Sequence, residues 1–224
     1  MFTTEFIFQF IILIYHYFST MNNMKSPHYL FLVIALILSR SVGSFAQTAN
    51  EKYIVDKKES VITWSCAMQF APQNAHMGYI YMSAGELLTE KGKLSGGTVA
   101  IDMNTMQDER HESDNDLIDH LKSPDFFDAE NFPVSNFAIT GVTSGEGGNI
   151  KITGNLTIKG ITHEITFPGK FEVTKGVLSA SGKVTIDRAK WDVRYGSGKF
   201  FENLANDTIS DEITVNMKIV ARKG

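Results

Sequence analysis

Ile150, Ile152, Gly154, Leu156 and Ile158 alternate with Lys151, Thr153, Asn155, Thr157 and Lys159 over ten residues. Side chains at period two leave a strand on opposite faces, so this segment can satisfy water and a core together only as a half-buried strand. The C-terminus repeats the pattern, with Ile213, Val215, Met217, Ile219 and Ala221 against Thr214, Asn216, Lys218 and Arg222. Leu178, Ala180, Gly182, Val184 and Ile186 form a third apolar face, and Ile62, Trp64, Cys66, Met68 and Phe70 a fourth. Spacers rich in turn formers separate such runs: Lys57-Lys58-Glu59, Glu90-Lys91-Gly92, Ser144 to Gly148, and Lys175-Gly176. Short spacers join neighbours as antiparallel hairpins. Strands are expected at 53–56, 60–70, 78–89, 93–103, 134–143, 149–159, 162–173, 176–188 and 208–222. With no helices alternating between them, the fold class is all-β, a sandwich or a closed barrel.

One segment breaks the pattern. Leu117, Ile118 and Leu121 make a short helical stripe over Ser113 to Lys122, ended by Pro124. Ser113 or Asp114 suits the helix start, and Asp114 and Asp116 its positive end. Phe126, Phe127, Phe132 and Phe137 follow, so this helix with its aromatic tail is a candidate plug or lid.

Upstream of the strands, Met24 to Ala46 has the three parts of a secretory signal. Lys25 gives the n-region, Tyr29 to Leu38 the apolar h-region, and Ser44-Phe45-Ala46 a small-residue cleavage site. The organisation is therefore read as 1–46, upstream segment and signal peptide, and 47–224, a single barrel domain. The run Phe6 to Phe18 is read as upstream sequence preceding a true start at Met21 or Met24. An alternative, a membrane hairpin, meets apolar runs shorter than the about 20 residues a span requires. No Cys stands at position 47 to carry a lipoprotein anchor, so no stable membrane anchor is expected. The localisation expected is periplasmic or secreted.

Cleavage leaves 178 of the 224 residues, enough for one domain that buries roughly 70% of its unfolded surface. The whole chain carries a net charge of −4, and removing Lys25 and Arg40 against Glu5 leaves −5. That mild acidity argues against nucleic acid, which asks for a basic face. Cys66 is the single cysteine, so no intrachain disulfide forms.

The stretch His120-Leu121-Lys122-Ser123-Pro124-Asp125-Phe126-Phe127-Asp128, with Phe132-Pro133 and Phe137 behind it, resembles a signature of the YceI-like family of lipocalin-like, polyisoprenoid-binding secreted proteins. Gly154 to Thr162 (GNLTIKGIT) resembles a second family segment, and Ile186-Asp187-Arg188 with Trp191 a third. The resemblance runs from about Tyr53 to Ala221, and Trp64-Ser65-Cys66 with the loop Met106 to Asp114 is similar to a Bacteroidetes-type branch. It implies an antiparallel eight-stranded lipocalin-like barrel with one or two short helices and a long apolar cavity. It also implies an isoprenoid or quinone-like lipid as partner, carried or sequestered, and neither a catalytic residue nor a cofactor. The residues assigned to the cavity are Trp64, Met68, Phe126, Phe127, Phe137, Ile139, Leu156, Ile158, His163, Ala180, Gly182, Val184, Trp191, Val215 and Met217.

Several of these carry a second reading. Gly154, Ala180, Gly182 and Ala221 on the apolar faces leave volume for a ligand, or else serve tight packing at barrel corners. His163 shares parity with Ile161, Ile165 and Phe167, which points it inward, yet it follows the Gly160 turn, where a strand-end histidine is half exposed; the second is preferred. Arg188 shares parity with Ile186 and is read as a structural partner for Asp187, Asp192 or a carbonyl. The acidic run from Asp108 to Asp116, with His111, lacks the register of a calcium loop and reads as a solvated loop rather than a metal site. Cys66 on an apolar face, without a Gly-x-Ser-x-Gly elbow, does not suggest nucleophilic catalysis. A metal-dependent enzyme using His111 and His120, and a solid barrel serving only for interaction, remain the alternatives to a lipid carrier.

The signal reading has a direct check. Mass analysis of the exported protein should find a chain beginning at Gln47; intact Met1 or Met24 on that protein would overturn it.

Overall fold

The computed structural model describes residues 50–109 and 116–224. The signal-like segment and the expected helix cap at Ser113 or Asp114 lie outside the described residues. Nine strands follow in order: β1 (Glu51–Val55), β2 (Val61–Met68), β3 (Ala71–Glu90), β4 (Lys93–Asp108), β5 (Val134–Ser144), β6 (Asn149–Ile158), β7 (Ile161–Thr174), β8 (Val177–Asp187) and β9 (Glu212–Lys223). One α-helix, α1 (Asp116–Lys122), stands between β4 and β5.

Three of the hairpins turn on Lys-Gly pairs: Lys91-Gly92, Lys159-Gly160 and Lys175-Gly176. Both residues of each pair have positive φ, which is the type I′ geometry whose twist matches that of antiparallel strands. Glycine supplies the second of these angles without strain, and lysine tolerates the first at a loop tip.

The strands pair antiparallel in the order β3-β2-β9-β8-β7-β6-β5-β4, and β4 returns to pair with β3. The ring is therefore a closed barrel of eight staves, as the resemblance implies. The ninth strand shares a lane. Trp64 of β2 pairs with Gly78 of β3 and Val215 of β9, while Ile54 of β1 pairs with Glu86 of β3 and Arg222 of β9. β1 and β2 are thus two pieces of one stave, joined by residues 56–60. Asp56 Oδ1 accepts from the N–H groups of Lys58 and Glu59, at 2.9 and 3.2 Å, and holds the joint. Ser60 then stands in for the interrupted ladder: its buried hydroxyl accepts from Val220 N–H at 2.9 Å and donates to Val220 O at 3.1 Å.

β4 runs five residues past its expected end. Asp102 breaks the alternation there by accepting from Asn104 N–H at 3.0 Å, and Thr105 Oγ1 donates to Asp102 O while accepting from Tyr81 N–H. The register of β3 on β4 shifts between Tyr79 and Tyr81 at the same place. This bulge brings both Met103 and Met106 to the interior, three residues apart, where a period of two would separate them.

Removing the Ser60 hydroxyl leaves a buried N–H of β9 unsatisfied. Ser60→Ala should lower the unfolding free energy by about 1–3 kcal/mol with an unchanged denaturant slope in urea melts.

Candidate functional site

Inside the barrel, toward α1, lies a cavity of about 140 Å³ whose wall is almost wholly carbon. β2 contributes Ile62, Trp64 and Cys66, β9 Ile213, Val215 and Met217, and β6 Leu156 and Ile158. Met103 and Met106 enter from the bulged tail of β4, and Leu121, Phe126 and Phe127 come from α1 and the turn behind it. A second apolar cavity of about 60 Å³ lies further along the interior, among Leu87, Leu94, Val99, Ile139, Ile152 and Ala180.

The turn after α1 is built by short backbone bonds. Ser123 O accepts from Phe126 N–H at 3.1 Å and from Asp128 N–H at 2.9 Å, and Lys122 O accepts from Ala129 N–H at 2.8 Å. Phe126 is thereby buried between His120, edge-on at 5.0 Å, and Tyr195 at 5.2 Å. The Arg188 guanidinium lies 5.8 Å from the same ring centre.

Among the described residues Arg188 is the one charged side chain in the cavity wall, and it is only 1% exposed. Its Nε donates to Ser210 O at 3.0 Å, Nη1 to Val193 O at 2.8 Å and Nη2 to Ile209 O at 3.2 Å, with Asp211 Oδ1 3.6 Å from Nη2. Burial lowers its pKa from the ordinary value, and the neighbouring acidic groups, Asp211 and Asp187 among them, offset only part of that. A planar fork with five donors suits three converging carbonyls, which a lysine would not span. The residue therefore pins the segment from Val193 to Asp211 to the end of β8. Cys66 also faces this end; burial pushes its thiol above the ordinary range, so it stays protonated and inert near neutral pH.

Of the residues assigned from sequence, Trp64, Phe126, Phe127, Phe137, Leu156, Ile158, Val184, Val215 and Met217 line the larger cavity. Ile139, Ala180 and Gly182 line the smaller one. Three depart from the expected lining. Met68 sits at the β2–β3 turn, bridged to Ile209. His163 is exposed, its Nε2 2.9 Å from Lys190 O and its ring edge-on to Trp191 at 5.1 Å. Trp191 is buried but belongs to the wall outside both cavities, its indole N–H donating to Leu156 O at 3.0 Å.

β7 and β8 pair only from Gly169↔Gly182 to Thr174↔Val177. Beyond that point Pro168, which has no N–H to give, and the strand above it run without a β8 partner, and the Arg188–Trp191 turn packs there. This turn, not the lumen, is what engages His163. Sequence reasoning missed Ile62, Ile165, Phe167, Ile186 and Ile213 as lining, although each shares parity with a residue it named. Met103 and Met106 gave no such signal, because the bulge that aims them depends on Asp102 and Thr105.

A family profile for the YceI-like domain matches residues 53–221. A UPF0312 protein of Shewanella denitrificans is 28% identical over 120 residues, which are 51% of this chain and 59% of that protein's length. A UPF0312 protein of Pseudomonas putida strain W619 is 25% identical over 145 residues, 61% of this chain and 70% of that protein. Among solved structures, Burkholderia cenocepacia BcnA superposes with a TM-score of 0.61 at 22% identity, covering 75% of this chain and 99% of BcnA. A polyisoprenoid binding domain from Saccharophagus degradans, implicated in plant cell wall breakdown, gives 0.57 at 10% identity, covering 77% and 98%. At these identities the two structures speak to the fold.

The arginine network makes a prediction of its own. Arg188→Met takes the guanidinium donor from three carbonyls and removes the ion pair with Asp211, and should cost about 3–5 kcal/mol in chemical denaturation.

Proposed function

The chain belongs to the YceI-like family, and from that premise we propose that its barrel binds an apolar, isoprenoid-type lipid in the interior and carries or sequesters it in an extracytoplasmic compartment. The observation that carries this reading is the carbon-walled cavity of about 140 Å³, which ends on Phe126 and Phe127. A chain of methylenes and methyls gains roughly 0.8 kcal/mol for each CH₂ it buries, so such a site needs no charged contact to hold a ligand. The S. degradans polyisoprenoid binding domain, which has the same fold, supports the isoprenoid class, and a quinone-like head group is compatible with it. The signal-like segment at Met24 to Ala46 supports the compartment.

The polar groups of the cavity favour binding over catalysis. Arg188 spends its donors on backbone carbonyls, and the Cys66 thiol is held protonated by burial. Ser135 Oγ donates to Met103 Sδ at 3.1 Å. None of them is paired with a base in the way an activated nucleophile requires. His120, a residue of the enzymatic alternative, is occupied by Phe126, Tyr195 and Asp125. The cavity itself counts against a solid barrel.

Native mass spectrometry of protein purified from its own cells, followed by lipid extraction, tests the reading. An isoprenoid mass at up to one per chain is expected; a stoichiometric metal, or a clean apo mass under conditions that preserve lipid complexes, would overturn it. Replacing Phe126 and Phe127 together by alanine should reduce the retained lipid several-fold. Thr157→Ala, on the outer face beside Thr162, should leave it unchanged. Equal effects would make the aromatics a staple of the barrel rather than a wall of the site.

A further inference from the structure

The two interior cavities have five side chains in common: Ile62, Ile101, Phe137, Phe167 and Met217. These residues stand between the chambers. The Phe137 and Phe167 rings meet there with their centroids 5.6 Å apart, tilted by 47°. Each ring rests on a glycine of the next strand. A Cβ at Gly154 of β6 would come within 2.4 Å of Phe137 Cζ, and one at Gly182 of β8 within 2.9 Å of Phe167 Cε2 and 3.4 Å of Met217 Cε. Glycine weakens a strand interior and persists where something approaches the backbone closely. Here that something is an aromatic ring in both cases, so the glycines are seats that let two large side chains cross the lumen.

We propose that Phe137, Phe167 and Met217 form a septum that limits how deep an apolar chain penetrates, and so sets the length of prenyl chain this barrel accepts. The proposal rests on the lipid-binding reading above. An apolar cavity of about 150 Å³ holds a benzene molecule, so the larger chamber takes roughly one five-carbon isoprene unit beyond its mouth and the smaller one less than that. With the septum in place, a chain gains affinity only for the units it can put above it. Each unit buried there should tighten Kd by about two orders of magnitude or more. A unit that cannot pass the rings adds almost nothing.

The test is a series of prenols of one, two, three, four and nine isoprene units, presented to the lipid-stripped protein from cyclodextrin. Binding is followed through tryptophan fluorescence, since Trp64 lines the larger chamber. The wild-type affinity should climb over the short members and then level off. Phe137→Leu should move the levelling point to longer chains, and Met217→Ala, which cuts back a different strand's side chain, does the same should the first variant fold poorly. Adding Ala180→Leu, which fills the lower chamber without touching the upper one, should return the levelling point of either variant to that of the wild type. Affinity that rises evenly to the longest prenol in the wild type overturns the septum, as does a levelling point that stays fixed in both folded variants. A parallel series of n-alkanols separates this from the parent reading. Alkanols that bind with the same length limit while no prenol binds would retain the septum and refute the isoprenoid class; no binding in either series would refute both.

Discussion

The closure of the hydrogen-bonded ring is the constraint to which the other features answer. Every strand of an eight-stave barrel must find partners on both edges, and an unpaired edge is both a cost in backbone hydrogen bonds and an invitation to aggregate. β3, at 20 residues, is far longer than β2, at eight, so a single β2 would leave the far half of β3 and the end of β9 open. β1 fills that lane, and the Ser60 hydroxyl carries the ladder across the joint. At the other exposed stretch, where β7 and β8 part, the edge begins at a proline, and Trp191 packs over it with a hydrogen bond to Leu156 O.

A closed ring of eight strands fixes the width of the interior near the size at which side chains either fill it or leave room for a single ligand. This chain does both at different levels. In the row of Val55, Leu178 and Ala221 the staves are tied by direct pairing, and those side chains are buried to within a few per cent. Higher up, two phenylalanines cross the lumen on glycine seats. Above them aliphatic side chains, Trp64 and the Phe126–Phe127 pair stop short of one another, and a cavity remains. The larger empty volume is therefore not where the sequence has its smallest residues; Ala180 and Gly182 line the smaller cavity instead.

That point marks the limit of what one strand's alternation can say. The strands were legible because period two survives in nearly every one of them, and the Lys-Gly tips mark three hairpins by chemistry that only left-handed backbone demands. The family resemblance added closure, which no single strand encodes. Whether Gly154 or Gly182 opens a hole or seats a ring depends on the residue across the ladder and the rotamer it takes. Phe137 and Phe167 lie on other strands, 17 and 15 residues away in sequence. For His163 the preferred reading, an exposed residue after the Gly160 turn, holds over simple parity: Ile165 and Phe167 still face the cavity, while His163 near the strand end meets the Arg188–Trp191 turn and solvent. Arg188 was legible as a structural cation with a carbonyl among its expected partners, but that the partners are those of Val193, Ile209 and Ser210 is marked by no charge pattern.

The two sides of the cavity's α1 end are held by interactions of unequal strength, and this bears on how a ligand passes. On one side, the segment from Val193 to Asp211 is fastened by a buried guanidinium whose hydrogen bonds run to main-chain atoms. Breaking such a set exposes a charge and several acceptors together, at several kcal/mol. Lys199 reinforces that side from outside: burial works against ionisation of Asp187, but the hydrogen bonds from Lys199 and Ala189 outweigh it and lower the carboxyl's pKa. That contribution is present above the ordinary carboxylate range and disappears only as acid protonates Asp187. On the other side, α1 has seven residues, and the turn behind it is secured by ring contacts of Phe126 with His120 and Tyr195. Aromatic contacts of this kind contribute about 0.5–1.5 kcal/mol each beyond their burial, and an apolar ligand can replace them with contacts of its own. Opening on the α1 side exchanges one set of apolar contacts for another, whereas opening on the Arg188 side breaks hydrogen bonds that a hydrocarbon chain cannot remake. The aromatic signature and the arginine meet at one end of the barrel, where the Arg188 guanidinium lies 5.8 Å from the Phe126 ring centre.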